Sequence, residues 1–103
     1  MYFYDLNKIA GEAVSHSTVA GRPVDGEHLQ LSLLHFETDG GAKEHAHQYE
    51  QIMYVIKGKL RVEIGDEVNE IGPGQAFLAP PNVKHQVTAL EDSEVISCKN
   101  LIR

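Results

Sequence analysis

Two histidines separated by one alanine, His45 and His47, stand just before an apolar run and offer the clearest chemistry in this sequence. Side chains two positions apart on a β-strand point to the same face, so both imidazoles can approach one ion from one direction. Gln51 lies at even spacing from both histidines and shares their face if the strand is unbroken. His85 opens a later apolar run and would come from a neighbouring strand. These four side chains are the candidate ligands of one metal ion.

The remaining histidines, His16, His28 and His35, have no such spacing, and we interpret them as surface or hydrogen-bonded side chains. Cys98 is the single cysteine, so it cannot form an internal disulfide. No basic partner or helix N-terminus that would activate its thiol is apparent, and we interpret it as a small core residue.

Length and charge restrict the class of protein. The 103 residues are enough for one domain, which we expect to span 1–103. Nine Lys plus Arg against 15 Asp plus Glu give a net charge of −6, which argues against nucleic acid or an acidic membrane as partner. No run of about 18 apolar residues is present to span a bilayer, and the N-terminus lacks the pattern of a signal peptide. We therefore expect a cytoplasmic protein.

Short apolar runs alternate with turn signals along the whole chain. The runs rich in Val, Ile, Leu, Tyr and Phe predict strands at 28–37, 51–57, 60–64, 75–79, 85–89 and 93–100. Gly, Pro, Asp and Asn predict turns at 21–26, 38–41, 57–59, 64–67, 71–74 and 79–82. The one weak helical candidate, LNKIAGEAV, is interrupted by Gly11. This pattern predicts an all-β antiparallel sandwich or barrel.

The two histidine segments resemble the two motifs of the cupin family. In the first motif, the family's two histidines, acid and glycine correspond to His45, His47, Gln51 and Gly58. In the second motif, its glycine, proline, turn residue and histidine correspond to Gly74, Pro80, Asn82 and His85. The resemblance covers most of the chain.

Four positions depart from the family pattern. Gln51 replaces the acid, and Asn82 replaces a glycine, although asparagine also tolerates positive φ. Ala89 stands where the second motif closes with asparagine. Asp39 stands where a glycine commonly precedes the first histidine, although Gly40 and Gly41 are adjacent.

The resemblance implies a single-domain jelly-roll β-barrel with a divalent transition metal, Zn, Ni, Fe, Mn or Cu, inside its mouth. Its ligands would be His45, His47 and His85 plus Gln51, whose amide oxygen makes the site neutral and the ion a stronger Lewis acid. Two alternatives stay open: Gln51 lies at the rim of a three-histidine site, or the site no longer binds metal. Glu50 would face the opposite side of a regular strand.

A glutamine in the first motif is similar to two cupin groups. One contains small enzymes that linearise unsaturated monouronates from pectin or alginate, and the other contains an isomerase acting on a prephenate-derived intermediate. The first group is the closer match. Its C-terminal catalytic arginine corresponds to Arg103, whereas Ser97 and Lys99 stand where that group has an aspartate and an aromatic residue.

Three functions follow from this resemblance. The first is a metal-dependent isomerase or lyase acting on a small carboxylated sugar such as a 4,5-unsaturated uronate. The others are an oxygenase that uses the bound metal, and a non-catalytic protein that binds a small molecule. The candidate catalytic residues are Arg103 and Tyr54. Tyr49, His35 and Lys99 are further candidates for proton transfer, and Lys43 or Arg103 for binding the substrate carboxylate. Small cupins commonly pair, and we expect a homodimer built partly from an N-terminal strand at 1–4.

Overall fold

Two antiparallel sheets form the structure, a computed structural model that describes residues 2–14 and 17–101. The strands are β1 (Glu12–Ala13), β2 (Ala20–Asp25), β3 (Leu29–Phe36), β4 (Gly41–His45), β5 (Gln51–Lys57), β6 (Leu60–Ile64), β7 (Glu67–Ile71), β8 (Ala76–Ala79), β9 (His85–Ala89) and β10 (Ser93–Asn100). One sheet has the order β1-β2-β3-β10-β5-β8, and the other has the order β4-β9-β6-β7. The predicted all-β jelly-roll barrel is confirmed.

The core lies between the two sheets. In β5, burial alternates strictly over the first five residues, with Gln51, Met53 and Val55 inward and Ile52 and Tyr54 outward, as the two-residue period of a strand requires. The buried apolar side chains come from both sheets and from the segment before β2: Val19, Leu34, Phe36, Met53, Val55, Leu60, Val62, Ile71, Phe77, Ala79, Val87, Ala89 and Val95. Gln51 and His85 are polar exceptions to this apolar interior.

Most of the predicted strands are confirmed, and β5, β6, β9 and β10 begin and end at the predicted residues. The turn predicted at 21–26 is wrong, because Ala20–Asp25 form β2 and pair with β3. Pro23 lies beyond the short pairing with β1, on an open edge of β2, where a missing N–H is tolerated. The helical candidate forms only a short 3-10 helix, Leu6–Lys8.

Two turns carry the departures from the expected glycine pattern, and a third keeps its glycine. Asp39 and Asn82 both adopt positive φ, 68° and 65°, so each takes the conformation of the glycine that it replaces. Gly58 turns the chain from β5 to β6 with φ 100°, and a Cβ there would lie 2.6 Å from the carbonyl oxygen of Asp92. That position therefore requires glycine.

Ala89 is tied to the 37–40 turn through backbone atoms alone. The amide of Asp39 donates to the Ala89 carbonyl at 2.8 Å, and the amide of Ala89 donates to the Gly40 carbonyl at 2.8 Å. Neither bond uses a side chain, so replacement of the usual asparagine by alanine leaves this connection intact.

Candidate metal centre

Two neighbouring strands of the four-stranded sheet bring the first two histidines together. His45 is the last residue of β4 and His85 is the first residue of β9, and the two are direct cross-strand partners. Their ring centroids lie 4.4 Å apart. The expectation that His85 arrives from a strand beside His45 is confirmed.

His47 lies in the loop between β4 and β5, so the unbroken strand on which its alignment with Gln51 was argued does not exist. Hydrogen bonds from two distant segments hold the loop instead. The amide of Asn82 donates to the His47 carbonyl at 2.7 Å, and the amide of Glu50 donates to Oδ1 of Asn100 at 2.8 Å. Glu50 itself is exposed. These bonds place His47 with its ring centroid 4.6 Å from that of His85.

A backbone carbonyl two residues away binds Nδ1 of each histidine. The acceptors are Lys43 for His45 at 2.6 Å, Tyr49 for His47 at 2.8 Å and Val83 for His85 at 3.0 Å. A carbonyl oxygen only accepts, so each neutral imidazole carries its proton on Nδ1 and its lone pair on Nε2. The repeated bond fixes one tautomer in all three rings, as metal-binding histidines require.

The Nε2 atom of His85 is the most informative atom of the group. It is buried and has no hydrogen-bond partner among the described residues. A buried polar atom without a partner costs about 1–3 kcal/mol, and folded proteins rarely retain one without a reason. One ring nitrogen from each of His45, His47 and His85 lies within 4.8 Å of the others, close enough for one ion.

Electrostatics favour the neutral form of His85. Burial is the main cause that lowers its pKa below the ordinary histidine value, and the nearby rings of His45 and His47 lower it further, while the bond to the Val83 carbonyl opposes this shift. An unprotonated ring at neutral pH is the form that binds a metal.

The fourth candidate, Gln51, opens β5 in the six-stranded sheet and is only 9% exposed. Its Nε2 donates to Oγ of Ser97 on β10 at 2.8 Å, which directs Oε1 toward the histidines. That oxygen lies 3.2 Å from Nε2 of His47. When His47 is neutral, two lone pairs face each other at this distance, and a cation between them removes the repulsion. The three nitrogens and the amide oxygen therefore fit a divalent transition metal.

A cavity of about 1180 Å³ lies between the two sheets and contains these four side chains. Tyr49 and Lys99 line it as well: the Tyr49 ring stacks on His47 with centroids 3.7 Å apart, and Nζ of Lys99 lies 4.5 Å from the Tyr49 centroid. Burial raises the pKa of the Tyr49 hydroxyl. The stack and the Ser97 bond were not predicted from the sequence, since both depend on contacts between separate segments.

Several predicted residues lie away from the cavity. Tyr54 is 46% exposed on the outer face of β5, because it is three residues from Gln51 and strand residues at odd spacing point to opposite faces. The structure thus does not bring Tyr54 to the histidines. Cys98 is exposed on the outer face of β10, so its assignment to the core is wrong. His28 and His35 are exposed, as expected.

Three of the expectations fall partly or wholly outside the described residues. Arg103 and His16 lie outside the part of the chain that the structure describes. Of the N-terminal segment predicted as a strand, the described residues Tyr2, Phe3 and Tyr4 are exposed and belong to no strand of the single chain. Across the described chain, helices of the length and apolarity needed to cross a membrane are absent.

Comparison with known proteins identifies relatives of this chain. The cupin domain family model matches residues 32–97. The chain is 32% identical over 69 residues to the pectin degradation protein KdgF of Dickeya dadantii (strain 3937), a match that covers 66% of this chain and 63% of that protein. The chain therefore spans slightly less than two thirds of that relative.

Solved structures extend the match to the whole chain. The structure of KdgF from Halomonas sp. is 28% identical and covers 100% of this chain and 96% of its own, with a TM-score of 0.88. An RmlC-like cupin from Shewanella frigidimarina NCIMB 400 is 19% identical with a TM-score of 0.89, covering 100% of this chain and 93% of its own. At that identity the second likeness shows the fold alone.

Proposed function

The chain belongs to the cupin family, and from this premise we propose that it is an isomerase or lyase that uses one divalent transition metal to act on a small carboxylated sugar. The specific substrate proposal is a 4,5-unsaturated uronate, which the enzyme would linearise. The observation that carries the proposal is the buried Nε2 of His85, which has no hydrogen-bond partner among the described residues and belongs to a set of three imidazoles whose tautomers are already fixed.

The residues that would hold the ion are His45, His47, His85 and Gln51. A bound divalent ion with only neutral ligands keeps its full charge and supplies Lewis acidity toward an oxygen of the substrate. Opening the ring of an unsaturated uronate needs such polarisation and a proton transfer, and it needs no external electron acceptor. An all-neutral donor set therefore suits this class of reaction.

The chain's own residues contribute positioning and a proton. Ser97 holds the Gln51 amide so that its oxygen faces the histidines, and the Tyr49 ring packs on His47 beside the cavity. The ordinary pKa of a tyrosine already lies well above neutral and burial raises that of Tyr49 further, so its hydroxyl keeps its proton and is a donor rather than a base. Arg103 stays a proposed catalytic residue on the resemblance alone.

The relatives support the choice of substrate class. The protein of Dickeya dadantii is named for pectin degradation, and the structure from Halomonas sp. carries the same protein name. Pectin is a polymer of uronate units, so a small uronate is a reasonable product for such a protein to process. The large cavity beside the candidate ligands provides space for a molecule of this size.

Elemental analysis comes first among the tests. Protein purified without a histidine tag should contain one divalent transition metal per chain. Loss of the unsaturated monouronate would then be followed by absorbance and proton NMR, with metal-loaded protein and with the His47→Ala variant. We expect turnover only with the unaltered, metal-loaded protein. No rate above the uncatalysed reaction would overturn the substrate proposal, and oxygen uptake would assign the site to an oxygenase.

We also propose that two chains pair as a homodimer. Tyr2 and Phe3 are 90% and 89% exposed, and Leu31, Ile52 and Tyr54 lie on the outer face of the six-stranded sheet with more than a third of their surface exposed. Exposed apolar side chains on one face are typical of an interface between copies. Sedimentation should therefore give the mass of a dimer, and Ile52→Glu should shift it to that of a monomer. A monomeric unaltered protein would contradict pairing.

A further inference from the structure

Lys99 lies on the inner side of β10, between two glutamines of the neighbouring strands. In the sheet register it is the cross-strand partner of Gln30 on β3 and of Gln51 on β5. Lys99, Gln30 and Gln51 all line the cavity. The next inward position on β10, Ser97, is buried, and Val95 behind it lies in the apolar core. Lys99 therefore stands in a polar row at the open end of a cavity that becomes apolar with depth.

The contacts of Lys99 connect it to the candidate metal ligands. Its Nζ lies 4.5 Å from the centroid of the Tyr49 ring, within the range of a cation–π contact. The Tyr49 ring stacks nearly parallel on the His47 ring, with an interplanar angle of 11° and centroids 3.7 Å apart. The ammonium group therefore contacts the Tyr49 ring, and that ring contacts the imidazole of His47, whose Nε2 would bind the ion.

Lys99 differs in its charge environment from Lys59 and Arg61. Lys59 and Arg61 pair with the carboxylates of Glu70 and Glu63, whereas no carboxylate of the described residues lies within 4.0 Å of the Lys99 ammonium. Lys43, the other lysine that lines the cavity, is exposed, but Lys99 is partly buried. A partly desolvated cation without an anionic partner, facing a cavity, is suited to bind an anion that enters it.

We propose that the Lys99 ammonium binds the carboxylate of the sugar-acid substrate at the open end of the cavity, while the opposite end of the sugar faces the histidines. The inference rests on the proposed function for its substrate class. Tyr49 restrains the lysine side chain and provides a flat surface against which a sugar ring can pack. Lys99 is therefore the residue that distinguishes a sugar acid from the neutral sugar of the same shape.

The residue beside Lys99 also leaves its ammonium group available to the substrate. Gln51, beside Lys99 in the register, is a neutral amide, so no carboxylate ligand competes with the substrate for the ammonium. A hydrogen bond to a charged group contributes about 1.5–3 kcal/mol, which corresponds to roughly 10- to 100-fold in affinity. The expected discrimination between a uronate and its neutral counterpart has the same size.

Binding measurements with two unreactive sugars test the inference without requiring turnover. Metal-loaded protein would be titrated with D-galacturonate and with D-galactose by calorimetry or NMR, using the unaltered chain, Lys99→Met and Lys99→Gln. We expect both variants to bind galacturonate about 10- to 100-fold more weakly and to bind galactose unchanged. Metal content and thermal midpoint would be measured on each variant to establish that the fold and the ligand set are intact.

Two further variants make the test specific. Lys57→Met removes an exposed positive charge from the end of β5. Lys57 does not line the cavity, so the variant should leave galacturonate affinity within about twofold. Lys43→Met tests the other cavity lysine. The inference is overturned if Lys43→Met rather than Lys99→Met weakens galacturonate binding, if both sugars lose affinity equally, or if the unaltered protein does not prefer galacturonate.

Failure of this inference can be separated from failure of the proposed function. Turnover of the unsaturated uronate with an unchanged KM in Lys99→Met would refute the role of Lys99 and leave the proposed reaction standing. Galacturonate binding that depends on Lys99, without turnover of the unsaturated uronate, would support the carboxylate site and refute the reaction.

Discussion

The two sheets contribute to the candidate metal centre in different ways. From the four-stranded sheet come His45 and His85, and each ring is oriented by a backbone carbonyl two residues earlier in its own segment. From the six-stranded sheet comes Gln51, whose amide is oriented by Ser97, 46 residues later in the chain. One half of the site is therefore positioned locally and the other half by a contact between distant strands.

The site has two requirements, the correct tautomer of each imidazole and the correct position of the Gln51 oxygen, and they are met in different ways. The local carbonyl bonds fix the tautomer of each imidazole, and they form as soon as the backbone around each histidine is in place. The Gln51 oxygen depends on a single side-chain hydroxyl from another strand. We therefore expect substitutions on the histidine side to abolish metal binding, and substitutions on the glutamine side to adjust its strength.

The largest effect is expected for His85→Ala. The variant removes the buried Nε2, which has no hydrogen-bond partner among the described residues. Metal affinity should fall by more than about 100-fold, which exceeds the loss typical of residues that only support a ligand. The measurement is metal stoichiometry by elemental analysis, with Zn²⁺ or Co²⁺ titration. His35→Ala, an exposed histidine on β3, is the matched control and should keep full occupancy. Equal occupancy of both variants would remove His85 from the ligand set.

Gln51→Glu should strengthen metal binding but slow the reaction. A carboxylate in place of the amide should tighten metal binding by about 10-fold or more, because ligand charge is one of the factors that set affinity. The same charge weakens the Lewis acidity of the ion, so turnover of the unsaturated uronate should fall. Unchanged metal affinity would place Gln51 at the rim of a three-histidine site.

Ser97→Ala tests the long-range half of the comparison directly. The Gln51 amide would lose its anchor, and metal affinity should fall by about 10-fold, with a change in the visible absorption of the Co²⁺ protein as the amide oxygen moves. The buried Nε2 of Gln51 would also lose its partner, at a cost of about 1–3 kcal/mol of stability.

Ser32→Ala is the control for that experiment. Ser32 is buried on β3 directly opposite Ser97 in the register, and its hydroxyl has no hydrogen bond to Gln51. The variant should therefore leave the Co²⁺ spectrum unchanged. Identical spectra for the Ser97 and Ser32 variants would mean that the Ser97 hydroxyl does not position the amide.

The smallest effect concerns Asp92, which makes a long-range contact outside the cavity. Hydrogen bonds from the backbone amide and then the hydroxyl of Thr38 are the main causes that lower the pKa of this carboxyl below its ordinary value. The stabilisation is complete above pH about 4 and is lost as the pH falls through the lowered pKa. Urea midpoints at pH 7 and pH 3 should therefore differ less for Asp92→Asn than for the unaltered protein. The same pH dependence in the variant and in the unaltered protein would show that the hydrogen bonds from Thr38 to Asp92 do not contribute to stability.

Much of the fold could be predicted because most strands of the second half are short, apolar and separated by glycine or proline turns. Local signals fail where they conflict with pairing. The segment of β2, AGRPVD, contains turn residues throughout, yet it pairs with six residues of β3. The segment of β7, EVNEI, is polar and mostly exposed, and the strand exists because it completes a hairpin with β6.

The site shows the same limit. Strand spacing predicted that His45 and His47 would lie together, and the resemblance to the two cupin motifs added His85; the structure brings all three rings together. The role of Ser97 was not predictable, since a hydrogen bond over 46 residues leaves no local pattern. The face of Cys98 was mispredicted because apolar residues occupy both faces of β10, with Val95 inward and Ile96 outward, and alternation alone does not identify the buried side.

The attachment of the His47 loop has a consequence for the order of folding during synthesis. The loop is anchored by Asn82 at 2.7 Å from the His47 carbonyl and by Asn100 at 2.8 Å from the Glu50 amide. A nascent chain that ends before Asn100 already contains all three histidines but lacks the second anchor. Since these contacts join distant segments, they form late and slowly compared with local turns. We therefore expect the candidate centre to be fully assembled only when the strand array extends to Asn100.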